Sequence, residues 1–203
     1  MNDLRVQFGD IDIYLFDQLL RGRIAPGMHV IDAGCGSGRN LVYLLRSGYN
    51  VAAADQDPAA VHHVRALAAQ LNPALPADNF RVEPIEAMSF TPASADIVIA
   101  SAVLHFASGP EHFDAMLRGI WTVLAPGGLL FARLASSIGI GALVEPLGDG
   151  RFRLPDGSDR FLVDEHMLTE ATRRLGADLA DPLKTTVVQQ QRAMTTWVAR
   201  KHD

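Results

Sequence analysis

Residues 30–40 read VIDAGCGSGRN. Val30 and Ile31 are apolar and β-branched, and within a few residues they run into Gly34, Gly36 and Gly38. A strand buried on both faces of a parallel sheet shows a continuous apolar run, so this stretch reads as a buried strand delivered into a glycine loop. Without side chains in the way, such a loop bends tightly and brings its backbone close to a ligand. The spacing is GxGxG, and Arg39 stands where a further glycine would complete the dinucleotide fingerprint GxGxxG.

Working outward, Leu41, Leu44 and Leu45 predict a helix that Gly48 closes. The segment 50–55 reads as a second strand, and Asp57 with Pro58 supplies an N-cap and a first-turn proline for a helix whose core face is Val61, Val64, Leu67, Ala68 and Leu71. Residues 80–82 and 96–101 predict a third and a fourth strand. Pro110 opens a helix with Phe113, Met116, Leu117, Ile120 and Leu124 inward, and Pro126, Gly127 and Gly128 form a turn into a strand over 129–134. Alternation of strands and helices with short connections predicts an α/β fold, a mostly parallel sheet with helices on both faces; the architecture expected is Rossmann-like and doubly wound, with an antiparallel final strand.

At the N-terminal end, Ile11, Tyr14, Leu15 and Leu19 recur at helical spacing, and Gly22 follows as a stop. Beyond Ser136, Gly139, Gly141, Gly148, Gly150, Pro155 and Gly157 punctuate a stretch that reads as a long loop or small hairpin. A helix over 164–175 and strands over 183–188 and 195–199 complete the reading. The whole chain, 1–203, is expected to be one domain. The N-terminal helix (about 10–22) and the insertion (about 136–162) are expected to cover an acceptor site.

Composition narrows the function. The 203 residues carry a net charge of -5 and no Lys/Arg-rich run, which speaks against a surface that tracks a nucleic-acid backbone. Scattered arginines still allow recognition of a small anion. A lone cysteine, no secretory start and no apolar run near membrane length lead to the expectation of a soluble, cytoplasmic protein without a membrane partner. Open parallel sheets bind ligands beyond the carboxyl ends of their strands. There the glycine loop meets two acids, Asp32 before the loop and Asp55 at the end of the second strand, the latter suited to accept hydrogen bonds from ribose hydroxyls.

VIDAGCGSGRN, followed by AAADQDP (52–58), EPIEAMSF (83–90), SAVLHF (101–106) and LAPGGLL (124–130), resembles the class I S-adenosylmethionine-dependent methyltransferases over roughly residues 30–134. The resemblance implies S-adenosyl-L-methionine as cofactor, S-adenosyl-L-homocysteine as product, and methyl transfer to a small-molecule acceptor. It implies that Asp32, Gly34 and Gly36 line the methionine part, with Cys35 and Arg39 in the same binding loop. Asp55 would grip the ribose diol, Gln56 would lie against adenine, and Ile85 and Glu86 would close over the adenine edge. Ser101 resembles the residue whose backbone accepts a hydrogen bond from the methionine amine. Pro84 departs from the family, where an Asp is common nearby. Within the class, GSGRN with YLLRSGYNV (43–51) and the terminal MTTWVARK (194–201) looks like tellurite-resistance and related small-molecule methyltransferases.

His105 and Phe106 follow the fourth strand, where the loop overlooks the transferred group. His105 is therefore the candidate catalytic residue, as general base or as a group that orients the acceptor, against the plain reading of a satisfied loop histidine. Phe8, Tyr14, Phe106 and Arg133 are candidates for the acceptor pocket, against packing or solvent-facing roles. The Cys35 thiol reads as a small packing group, Asp57 as a cap, and His62 and His63 as a solvated face, so no metal site emerges. Two alternatives share the glycine loop: a nicotinamide-dependent oxidoreductase, whose fingerprint Arg39 interrupts, and a protein that binds S-adenosylmethionine without turnover. A nucleic-acid amino-methyltransferase would carry an Asn/Asp-Pro-Pro-aromatic motif where this chain has SAVLHF.

Overall fold

The computed structural model describes residues 4–203. Two short helices, α1 (Leu4–Phe8) and α2 (Ile13–Leu20), come first. The Asp12 carboxylate caps α2 by accepting the Tyr14 N–H at 3.0 Å. The alternating part follows as β1 (His29–Ala33), α3 (Val42–Arg46), β2 (Asn50–Asp55), α4 (Pro58–Leu71), β3 (Phe80–Val82), β4 (Ala95–Ser101), α5 (Pro110–Val123) and β5 (Leu124–Ala135). The remainder is β6 (Glu145–Gly148), β7 (Arg151–Arg153), β8 (Asp159–Phe161), α6 (Glu165–Arg174), β9 (Ala177–Leu179), β10 (Lys184–Val188) and β11 (Arg192–Lys201).

The main sheet has the order β10-β11-β5-β4-β1-β2-β3, with β9 also paired to β11. Strands β1 to β5 pair in parallel. β11 is antiparallel to β5, and β9 and β10 are antiparallel to β11. Side chains alternate across this sheet: Val30 packs among Leu44, Val61 and Val64 of α3 and α4, whereas Ile31 joins Phe113, Leu117 and Leu168 of α5 and α6. Helices on both faces explain why the central strands carry apolar residues at consecutive positions. On the α6 side, the buried Trp197 of β11 donates its Nε1–H to Thr172 Oγ1 at 3.0 Å, which fixes α6 to the sheet. The chain runs outward from β1 through β2 to β3 and returns to β4 on the other side of β1. That reversal opens a crevice at the strand tips, where ligands bind in open α/β sheets.

Several elements differ from the sequence reading. Pro126, Gly127 and Gly128 do not end one element and begin another; they form an irregularity inside β5, which advances from Leu124 to Leu129 while β4 advances from Ala95 to Ile97. α1 and β9 lack a periodic signal at five and three residues. The stretch after Ser136 holds a separate three-stranded antiparallel sheet, β6-β7-β8. Its strands are three or four residues long, too short for alternation to register, and Arg153 pairs with Asp159 across β7 and β8 at 2.9 Å. No described helix is long and apolar enough to cross a membrane.

Candidate functional site

The glycine loop turns directly off the tip of β1. Gly34 N–H and Cys35 N–H both donate to Ala54 O of β2, at 2.8 and 3.1 Å, so the loop is fastened to the neighbouring strand. Gly34 has φ +79°, and a Cβ there would strike the Val103 side chain, with Val103 Cβ at 2.8 Å. A side chain at this position would thus be strained and would displace the segment after β4. The Asp55 carboxylate ends β2 and is held by two backbone donors: Gly36 N–H to Oδ2 and Asp57 N–H to Oδ1, each at 2.9 Å. A carboxylate anchored in this way keeps its remaining lone pairs in a fixed direction for a ligand's donors.

These groups line a cavity of about 250 Å³ together with Gln56, Pro84, Ile85, Glu86, Ala102, Val103, Phe106, His112 and Met116. One wall is the 3₁₀ turn Ile85–Ala87 lying on α5. Gly119 of α5 permits that contact, since a Cβ there would run into the Ile85 carbonyl oxygen. His112, from the first turns of α5, stands 3.5 Å from Glu86 and accepts the Ser108 N–H at Nδ1. Beneath the loop, Asp32 is 2 % exposed and its carboxylate accepts no hydrogen bond among the described residues. Burial pushes its carboxyl up to about 7, with Arg39 opposing and Asp55 adding to the rise. A buried carboxylate without a donor is costly unless a cationic or hydrogen-bonding partner reaches it.

A second cavity, of about 420 Å³, adjoins the first through Ala102 and is lined by Arg39, Arg133, Arg160 and Arg192 with His105, Asp156 and apolar neighbours. Arg39 leaves the glycine loop to donate to Ser101 Oγ at 2.9 Å, and its guanidinium lies 3.6 Å from the buried Asp12. Arg133 on β5 donates to Asp12 Oδ2 at 3.1 Å and sits over the Tyr14 ring at 5.6 Å. The α2 cap is thereby also the tie between the N-terminal helix and the site. His105 is 6 % exposed, and its Nδ1 accepts the Ala135 N–H at 3.2 Å. Burial, with the Arg160 charge assisting, pushes its imidazole down to about 4, so the ring is neutral and its one proton is on Nε2. Phe106 is 59 % exposed, lines the first cavity and lies under the Arg160 guanidinium at 4.8 Å.

Of the candidates read from the sequence, Gly34, Gly36, Asp55, Gln56, Ile85, Glu86 and Phe106 meet at the first cavity. Arg39, His105 and Arg133 line the second. Asp32 and Ser101 are buried at the strand tips between them. Cys35 points into the core with Leu15, Leu41 and Leu44, and burial followed by the nearby Asp32 and Asp55 charges pushes its thiol far above the ordinary range. Phe8 stands elsewhere, packed on Phe16 and Tyr43 at centroid distances of 5.0 and 5.1 Å in an outer apolar groove. Tyr14 lines neither cavity; its hydroxyl is hydrogen-bonded to Thr186 Oγ1 at 2.8 Å. Sequence reasoning missed His112 and Met116, whose i,i+4 spacing on α5 was the available signal. It also missed Arg160 and Arg192, for which no local pattern exists.

Comparison with known proteins places this geometry among relatives. The model of a methyltransferase domain family matches residues 31–132. A ubiquinone biosynthesis O-methyltransferase of Methylocella silvestris is 34% identical over 118 residues, 56% of this chain and 44% of that protein. The chain spans less than half the length of the curated relatives it matches. Among solved structures, a SAM-dependent methyltransferase of Methanosarcina mazei superposes with TM-score 0.70 at 20% identity, covering 91% of this chain and 97% of that one. A 1,6-didemethyltoxoflavin-N1-methyltransferase of Burkholderia thailandensis, solved with bound 1,6-didemethyltoxoflavin and S-adenosylhomocysteine, gives a TM-score of 0.69 at 20% identity, covering 99% of this chain and 82% of that one.

Proposed function

Because the chain belongs to this methyltransferase domain family, we propose that it transfers a methyl group from S-adenosylmethionine to a small-molecule acceptor by in-line displacement. The observation that carries the reading is the Asp55 carboxylate, fixed by the Gly36 and Asp57 N–H groups at the rim of a cavity whose floor is the bare glycine loop. In that cavity Asp55 accepts the ribose hydroxyls, Gln56, Ile85 and Glu86 surround the adenine, and the loop backbone faces the amino-acid end. Asp32, buried without a hydrogen-bond donor, accepts the ligand's ammonium group. When bound, the sulfonium supplies an electrophilic methyl group and leaves as a neutral thioether.

The protein's part in such a displacement is alignment and exclusion of water, which lowers barriers by about 7–11 kcal/mol in well-oriented systems. The acceptor occupies the second cavity, which meets the first at Ala102. His105 orients it as a donor: with Nδ1 taken by the Ala135 N–H and the ring neutral, the imidazole offers Nε2–H rather than a basic lone pair. Asp12 ties α2 to Arg39 and Arg133, and the insertion supplies Leu154, Asp156, Ser158 and Arg160 to the cavity wall. Both segments act as cover for the acceptor.

Calorimetric titration of S-adenosylhomocysteine into the wild type and Asp55→Ala tests the reading. Loss of a charge-assisted hydrogen-bond acceptor is expected to weaken affinity by about 10- to 150-fold. Absence of binding to the wild type, or equal affinity in the variant, would overturn it.

A further inference from the structure

We propose that the acceptor is a small oxyanion, a carboxylate or phosphate ester, held in the second cavity by Arg39, Arg133, Arg160 and Arg192. This rests on the reading above for the identity of the adjoining methyl-donor site. The four guanidinium groups come from four separate places in the chain: the glycine loop, β5, β8 and the start of β11. They converge on one cavity of about 420 Å³, within the range of small-molecule sites. Elsewhere in the molecule, several arginines are answered by carboxylates, as in Arg21 and Arg23 with Asp181, Arg153 with Asp159 and Arg174 with Asp114, and others, such as Arg65 and Arg200, by backbone carbonyls.

Here the answer is incomplete. Asp12 lies close to Arg133 and Arg39, but among the described residues neither Arg160 nor Arg192 has a carboxylate within ion-pair distance. Asp156 is the acid that lines the cavity; its Oδ1 accepts the Ser158 N–H and hydroxyl at 3.0 and 2.6 Å, and its charge is felt by Arg192 and Arg160 from beyond ion-pair distance. Arg160 donates only to the Asp159 carbonyl, and its plane lies over Phe106, which leaves further N–H groups for a ligand. The buried Nε of Arg133 has no hydrogen-bond partner among the described residues. Counting Asp12 and Asp156 against the four arginines leaves two positive charges in a chain of net charge -5. Guanidinium forks match planar carboxylates and phosphates, and the His105 Nε2–H adds a further donor on the same wall.

The test uses the full chain saturated with S-adenosylhomocysteine and titrated with benzoate, phenyl phosphate and the neutral benzamide, followed by ligand-observed NMR. Benzoate or phenyl phosphate is expected to bind about tenfold or more tightly than benzamide, with the tighter of the two identifying the oxyanion. Arg192→Glu, at an exposed position, is expected to weaken the anion about tenfold or more while S-adenosylhomocysteine affinity stays at the wild-type value. Equal binding of benzamide and the anions, or an unchanged anion affinity in the variant, would overturn the anion site alone. Anion binding without any affinity for S-adenosylhomocysteine would leave the arginine site standing and overturn the methyl-transfer reading instead.

Discussion

On the proposed pairing of Asp32 with the ligand ammonium, nucleoside binding and stability depend on pH in opposite directions. The Asp32 carboxyl is buried and raised from 3.8 to about 7, chiefly by desolvation. A ligand ammonium binds the ionised form, so affinity falls as protons compete: relative to the plateau, about tenfold at pH 6 and about thirtyfold at pH 5.5. Calorimetry with S-adenosylhomocysteine between pH 5.5 and 8 reads this directly, and Asp32→Asn should bind weakly with a flat profile. Stability moves the other way. The unfolded chain releases this proton near 3.8 and the folded chain holds it to about 7. The carboxyl's favourable contribution is therefore complete below pH 4 and lost as pH climbs to 7, by an upper bound of about 4 kcal/mol. Urea unfolding of the unliganded protein should show the Asn variant gaining on the wild type across that window. A wild-type affinity that is level from pH 5.5 to 8, with no relative gain in the variant's stability, would refute the assignment.

Other perturbations read other parts of the structure. Gly119→Ala places a methyl against the Ile85 carbonyl and should cost about 1–3 kcal/mol in urea unfolding while weakening S-adenosylhomocysteine binding, since the cavity wall must retreat. Thr172→Val strands the buried Trp197 Nε1–H and should cost about 1–3 kcal/mol; a smaller loss would mean the indole finds another acceptor. Nitrogen-15 NMR of His105 should show an Nε2–H tautomer that stays neutral down to about pH 4, and titration near 6.5 would remove its assignment as a buried donor. Tryptic cutting within 151–160 should slow when S-adenosylhomocysteine is bound, and an unchanged rate would dismiss the cover role of that segment.

The first cavity was legible because its determinants are local. A strand tip, a glycine loop and the acid at the next strand tip lie within 26 residues, from Val30 to Asp55, and each is dictated by backbone geometry that leaves a mark in residue type. The helix limits were legible for the same reason, since Asp57 and Asp164 cap α4 and α6 where their side chains accept N–H groups two and three residues on. What failed were elements shorter than their own period. Three-residue strands such as β7 and β8 form because turns at Gly150 and Gly157 and the Arg153–Asp159 pair fold the segment on itself, not because alternation demands it.

The second cavity was illegible for a different reason. Arg160 and Arg192 read singly as solvated charges, Arg39 was assigned to the glycine loop, and only Arg133 was placed at the acceptor pocket. Their meaning arises from long-range pairing: β11 lies antiparallel on β5, and an isolated bridge between Ser136 and Val163 brings the insertion back over the tip of β5. Once those closures are made, like charges are forced together, and their repulsion has to be offset by neighbouring acids or by a ligand. Asp12 offsets part of it, which explains a fully desolvated carboxylate at the cap of α2, a place where an exposed Asp would cap equally well. The N-terminal helix is thus tied to the second cavity through Asp12 as well as through its apolar face. It follows that replacing Asp12 with Asn, which keeps the cap, should loosen α2 and leave the cavity more positive. Hydrogen exchange would then rise in residues 13–20 while benzoate affinity increases; protection unchanged in α2 would mean that Leu15 and its apolar neighbours hold the helix without the charge.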